Sequence, residues 1–176
     1  MFERIVTAIE TTVLGLWAGS MAGFAFIFAP IAIKWVPRMD TFAALIAATI
    51  RGIGAFGAVC GGIAIAASVI RVIGSTAGTR PAVRSSPGVR RLAGARVILV
   101  AIALVASAYE SGTIIPRMEA TASQIPGPID TVPKTDPRRM AYDEQHQASS
   151  RVYGTAFLCV IAALSLAAFG RRRTAP

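Results

Sequence analysis

Four long apolar runs, parted by polar and proline-rich stretches, account for most of this chain. They cover residues 11–33, 53–73, 97–115 and 152–169. A helix needs about 20 mostly apolar residues to cross a hydrocarbon core of about 30 Å, and each run reaches that length within about two residues. The pattern predicts an all-α polytopic membrane protein. It is a single domain over residues 1–176, a four-transmembrane-helix bundle with loops at 74–96 and 116–151, and no stretch is left for a sizeable soluble domain. The first run is too long for a signal-peptide core and reads as a retained span.

Composition agrees. Of 176 residues, 54% are hydrophobic and 15% charged, against roughly 25% charged in soluble domains. A net charge of +9 raises the question of nucleic acid. The basic residues, however, gather at the ends of apolar runs, which points to anionic lipid as the partner and away from nucleic acid. Cys60 and Cys159 fall inside spans and read as small packing residues.

Charge placement predicts the orientation. Around the second connection stand Arg71, Arg80, Arg84, Arg90, Arg91 and Arg96 with no acid among them, and the termini add Arg4, Arg171, Arg172 and Arg173. On the opposite side Lys34, Arg38, Arg117, Lys134, Arg138, Arg139 and Arg151 are diluted by Asp40, Glu119, Asp130, Asp136, Asp143 and Glu144. The positive-inside rule then puts both termini in the cytoplasm. The expected location is a bacterial inner membrane, crossed four times, with the basic 74–96 loop lying on anionic lipid.

The letters also repeat. Val36-Pro37-Arg38-Met39-Asp40 is echoed by Ile115-Pro116-Arg117-Met118-Glu119, and Ala48-Thr49-Ile50-Arg51 by Ala148-Ser149-Ser150-Arg151. The order suggests two repeated helical hairpins, each with a Pro-Arg-Met motif closing an outward-running helix. Asp136-Pro137 reads as an N-cap and first helical residue, so the fourth helix starts well before its apolar run. Asp40-Thr41 plays a similar part for the second. Small residues at Gly15, Gly19 and Gly23, and at Gly54, Gly57, Gly61 and Gly62, suggest that the first two spans pack closely. A dimer or partner interface is the competing use of the same stripes, and homo-oligomerisation stays open.

Glu110 is the residue with most chemistry in it. It lies within the third run beside Ser107, Tyr109, Ser111 and Thr113, and an ionisable group in a span normally faces the bundle interior or a cavity. Arg51 or Arg151 would be its ion-pair partner. Such a pair either sets helix register or belongs to an outward-facing polar vestibule. Glu10, beside Thr11 and Thr12, is expected to be solvated near the interface, with a proton or cation site as the sharper alternative. His146 is the only histidine. With Asp143 on its helical face and Met118 nearby it makes a weak ligand set, better read as a hydrogen-bonded interfacial residue. No Cys-x-x-Cys, phosphate loop, nucleophile elbow or His-Glu-x-x-His is present, so no catalysis, cofactor or metal is expected.

The Phe28-to-Phe42 segment with Pro37-Arg38, then Ile115-Pro116-Arg117, then Tyr142-x-x-x-His146-x-x-Ser149, resembles the transmembrane protein 205 family, known in bacteria as domain of unknown function 4149. Here Gln145 precedes His146 where that family usually has Leu. The resemblance implies a four-span membrane domain and leaves its chemistry open. The expected function is therefore that of a non-enzymatic membrane protein with an external polar vestibule for a small solute, ion or metal. Its candidate ligand-binding residues are Arg38, Arg51, Glu110, Arg117, His146 and Arg151. The competing expectation is a structural or assembly subunit that docks another membrane protein through its glycine-rich faces.

Overall fold

The computed structural model describes residues 2–36, 38–77 and 87–172. Four long helices carry nearly all of them, and each is long and apolar enough to cross a membrane. Helix α1 (2–35) joins an α-helical stretch Phe2–Gly23, a π-helical turn Phe24–Phe28 and a second α-helical stretch Ala29–Trp35. Helix α2 is Met39–Ala77. Helix α3 (87–123) is built like α1, as Pro87–Tyr109, a π turn Glu110–Ile114, and Ile115–Ser123. A short 3-10 turn Ile129–Thr131 leads to α4, Pro137–Arg172. Each helix packs on its neighbours in sequence, and α4 closes the ring against α1. The end that carries residue 2 and residue 172 is called terminal below; the opposite end is called distal.

Helical periodicity selects what faces the bundle axis. Leu14, Trp17 and Met21 of α1 are fully buried, and they meet small residues: Cys60 and Ala64 of α2, Ala103 of α3, Ala156 and Ala163 of α4. One bulky helix against small-faced neighbours lets the backbones approach closely, which is how helices associate where lipid removes the hydrophobic drive. The outward faces carry Leu16, Phe26, Ile27, Val105 and Leu158, all exposed. Such a continuous apolar surface belongs in hydrocarbon and not in water.

The glycines divide differently from the sequence expectation. A Cβ on Gly57 would come 2.3 Å from Trp17 Nε1, and one on Gly61 would come 2.7 Å from Leu104. Gly15, Gly19 and Gly23 instead meet nothing within 4 Å, so the α1 stripe does not pack on α2 as expected. Trp17, on the neighbouring face, takes that role.

The two π turns share a cause. Proline lacks an N–H, and its ring clashes with the carbonyl four residues back. Pro30 follows the first π turn and Pro116 the second. Within each turn the helical bond reaches five residues, from Ala29 N–H to Phe24 O and from Ile115 N–H to Glu110 O, which accommodates the ring without ending the helix. This corrects the expected alignment of the Pro-Arg-Met motifs. Pro116 lies inside a continuous helix, whereas Val36 is extended after α1 has ended and Pro37 lies outside the described residues. Pro30 is the structural counterpart of Pro116.

The connections also shift. The loop expected at 74–96 is helical to Ala77 and again from Pro87, with 78–86 outside the described residues. At the distal end α3 runs on to Ser123. Asp136 caps α4 as its spacing suggested: its Oδ1 accepts the Arg138 N–H at 2.8 Å. Arg138 and Arg139 then staple the 124–136 excursion by donating to the Gln124 and Ile129 carbonyls.

Two outcomes follow from this packing. Gly57→Ala should lower stability by about 1–3 kcal/mol, the usual cost of overpacking, and Gly19→Ala should leave it unchanged; thermal melting of both variants in detergent checks this. The hydrogen bonds from Arg138 hold the Asp136 carboxyl below the usual carboxylate range. Its contribution is therefore present above the unfolded value, near 3.9, and is lost as pH falls through the lower folded one. Amide protection factors at residues 138–140 should fall on acidification below about pH 4, and much less so in Asp136→Asn.

Candidate functional site

Charged and hydroxyl side chains enter the bundle axis in two layers. The distal layer is built on the second π turn. Glu110 is its first residue and is only 2% exposed. Its Oε1 accepts the hydroxyl of Ser149, on α4, at 2.7 Å. Adjacent Ile114 and Ile115 are both buried, as the phase slip of a π turn requires, and they pack with Ala47, Ile50 and Met118 on the distal side. Tyr153, one turn along α4 from Ser149, donates to the Met21 carbonyl at 2.9 Å and lies against Phe24. Phe24 opens the π turn of α1 as Glu110 opens that of α3. The two π turns thus put an aromatic ring and a carboxyl group at matching places in their helices.

The terminal layer was not expected. Glu10, read from the sequence as solvated, is 1% exposed. Arg96, assigned to the basic loop, is buried as well. Arg96 Nε stands 2.7 Å from Glu10 Oε1, and Ser68 of α2 donates its hydroxyl to the same oxygen at 3.0 Å. Arg96 also reaches the Ser68 hydroxyl, at 3.5 Å. The pair joins α1 to α3, the helices diagonally opposed in the ring. The sequence interval from Glu10 to Arg96 equals that from Phe24 to Glu110 and from Pro30 to Pro116. Corresponding positions of the two odd-numbered helices therefore carry opposite charges and meet across the axis.

The other candidate residues lie apart from Glu110. The expected pair with Arg51 or Arg151 does not form: Arg51 bonds Glu119, while Arg151 is exposed. Arg38 is exposed and pairs with Asp40, two residues on. Arg117 is exposed. His146 is exposed too, and Asp143 is engaged by Arg139 at 3.1 Å through both oxygens. Met118 packs inside, with Ile50, Ile114 and Ile115. The four arginines thus serve the distal surface, and the interior chemistry rests on Glu110, Ser149 and Tyr153 at one level and Glu10, Arg96 and Ser68 at the other. Among the described residues no three of His, Cys, Asp and Glu gather as metal ligands.

A buried ion pair loses much of its attraction to desolvation, whereas removing one partner strands the other charge. Glu10→Gln should therefore cost about 3–5 kcal/mol, while Glu10→Met with Arg96→Met should fall close to wild type or above it. Melting temperatures of the single and double variants, compared in a double-mutant cycle, check this.

The model of a known family matches residues 12–126, taking in Ser68, Arg96 and Glu110 but stopping before α4 and Ser149. No curated protein and no solved structure matches the chain. The match does not extend to transmembrane protein 205. The chain belongs to the family described as domain of unknown function DUF4149.

Proposed function

We propose that this integral membrane protein is non-enzymatic and holds a small cation, in the simplest case a proton, at Glu110, on a path through the bundle interior from the distal end. One observation carries the reading. Glu110 is buried in the lipid-spanning part of α3, its hydrogen-bond partner is the neutral hydroxyl of Ser149, and no basic side chain among the described residues pairs with it. A bare carboxylate there is expensive, and a hydroxyl does not neutralise it. A proton or a mobile cation does. The donor set of one carboxylate and hydroxyls suits such a ligand better than a transition metal. The π turn adds support, since such irregularities are frequent at functional sites. The Glu10–Arg96 pair is already neutralised at the terminal end, so the proposed path enters from the distal side, past the side chains of Ile114 and Met118 that pack there. With the positive-inside rule, that side is the exterior of a bacterial inner membrane and both termini are cytoplasmic.

The open face of α1 favours a second reading. Gly15, Gly19 and Gly23 leave space for a closely approaching helix, as an assembly subunit would need. The two readings separate by mutation. In liposomes loaded with a pH-sensitive dye, or assayed for sodium and potassium flux, wild-type protein should carry a cation current that Glu110→Gln reduces at least about tenfold, a loss of about 1.4 kcal/mol or more. Glu110→Gln should still melt as a folded bundle, since the amide keeps the Ser149 contact. Unchanged flux in Glu110→Gln, or no flux in wild type together with loss of a copurifying partner in Gly19→Leu, would select the assembly role.

A further inference from the structure

Between α2 and α3, turned away from the bundle axis, lies a cleft of about 400 Å³. At its floor the two helices nearly touch: a Cβ on Gly54 would stand 3.3 Å from Ser111 Oγ. Its walls are Ala55 and Ala58 on one side and Ala108 and Gly112 on the other, all exposed and too short to fill the gap. Leu104, seated over Gly61, stops it towards the terminal end. The lining is apolar except for Ser111 at the floor, whose hydroxyl donates to the Ser107 carbonyl, and Arg51 at the distal mouth.

Arg51 is held by Glu119, which lies beyond Pro116 on α3. Both side chains remain nearly half exposed, at 42% and 44%. The mouth of the cleft thus presents a positive and a negative group side by side, above a slot open to hydrocarbon. Long arginine side chains near the end of a span reach for the headgroup layer. A slot of this kind in a bilayer accepts an acyl chain, and the charges above it decide which headgroup comes with that chain.

We propose that the cleft is a binding site for one zwitterionic phospholipid with a primary ammonium head, a phosphatidylethanolamine. The lipid phosphate accepts from the Arg51 guanidinium, the ammonium donates to the Glu119 carboxylate, and one acyl chain lies along Ala55, Ala58 and Ala108. Charge-assisted contacts of this sort carry geometric specificity as well as attraction. A trimethylated ammonium has no N–H to donate to Glu119. An anionic head satisfies Arg51 but meets Glu119 as a like charge. The site does not depend on what passes Glu110.

The full chain, delipidated in detergent and offered equal amounts of phosphatidylethanolamine, phosphatidylcholine and phosphatidylglycerol with identical chains, tests this by native mass spectrometry. One phosphatidylethanolamine should be retained in preference to either competitor by at least about fivefold, a difference of about 1 kcal/mol. Glu119→Gln should abolish the preference over phosphatidylcholine. Ala58→Leu with Ala108→Leu should remove the bound lipid while leaving the melting temperature in place. Equal retention of the three lipids would mean an annular lipid only. That result, a preference for phosphatidylglycerol, or selectivity that survives in both Arg51→Gln and Glu119→Gln, overturns the assignment.

Discussion

A charge inside hydrocarbon must be matched from within the protein, and the Glu10–Arg96 pair is where this chain meets that demand most strictly. The two residues come from diagonal helices, so their contact is made across the bundle rather than along one interface. Ser68 supplies a third helix to the same carboxylate. A one-residue slip of α1 or α3 would pull a charged group out of reach, and one of α2 would withdraw the Ser68 hydroxyl, at a cost far above that of a misplaced methyl group. Apolar packing in lipid tolerates small slides; this layer does not. The bundle is therefore held in register at its terminal end, and the distal end inherits that register through Trp17 on Gly57 and Leu104 on Gly61.

The distal layer is made on different terms. Glu110 stands where α1 has Phe24, so at this level the odd-numbered helices offer one carboxyl group and no guanidinium. α4 compensates with the Ser149 hydroxyl and with Tyr153, whose own hydrogen bond goes to α1. The result is asymmetric along the axis: a complete ion pair at one end and an acid among neutral donors at the other. A complete pair has little use for a ligand, whereas an acid with only a hydroxyl has charge left to be answered. That contrast, rather than the presence of buried acids as such, makes Glu110 the stronger functional candidate.

Much of the fold was legible because hydrocarbon imposes so few solutions. Four apolar runs of adequate length mean four helices, and Asp136-Pro137 marked the start of α4 because a cap and a fixed φ are local properties. The misreadings share a physical source: a sequence window gives hydropathy but not depth. By hydropathy alone the third run begins at Val97, which leaves Arg96 among the loop charges, yet α3 starts at Pro87 and Arg96 lies more than two turns inside it. Ser86-Pro87 carries the same cap-and-proline signature as Asp136-Pro137, and it was the available signal. Once α3 is lengthened, Arg96 needs a buried acid, and Glu10 is the acid of α1 at the corresponding interval. Pairing Glu110 with Arg51 failed for the converse reason. Arg51 reaches away from the axis, and Glu119 competes for it with far less desolvation.

The prolines show how shared letters can misalign two segments. Pro37-Arg38-Met39 and Pro116-Arg117-Met118 agree in letters, but letters at a helix end and letters inside a helix answer to different forces. Inside a helix a proline must displace the carbonyl four residues back, and a π turn is one way to do so. Pro30 and Pro116 both show it, each six residues after the first residue of its own π turn, and each preceded by a single ordinary helical residue. The shared constraint, not the shared spelling, sets α1 and α3 in correspondence. In that alignment the positions facing the axis line up as Glu10 with Arg96, Leu14 with Val100 and Trp17 with Ala103. Opposite charges, and a bulky side chain set against a small one, let these two helices share a core, because like charges meeting across an axis would repel and two bulky side chains would not fit.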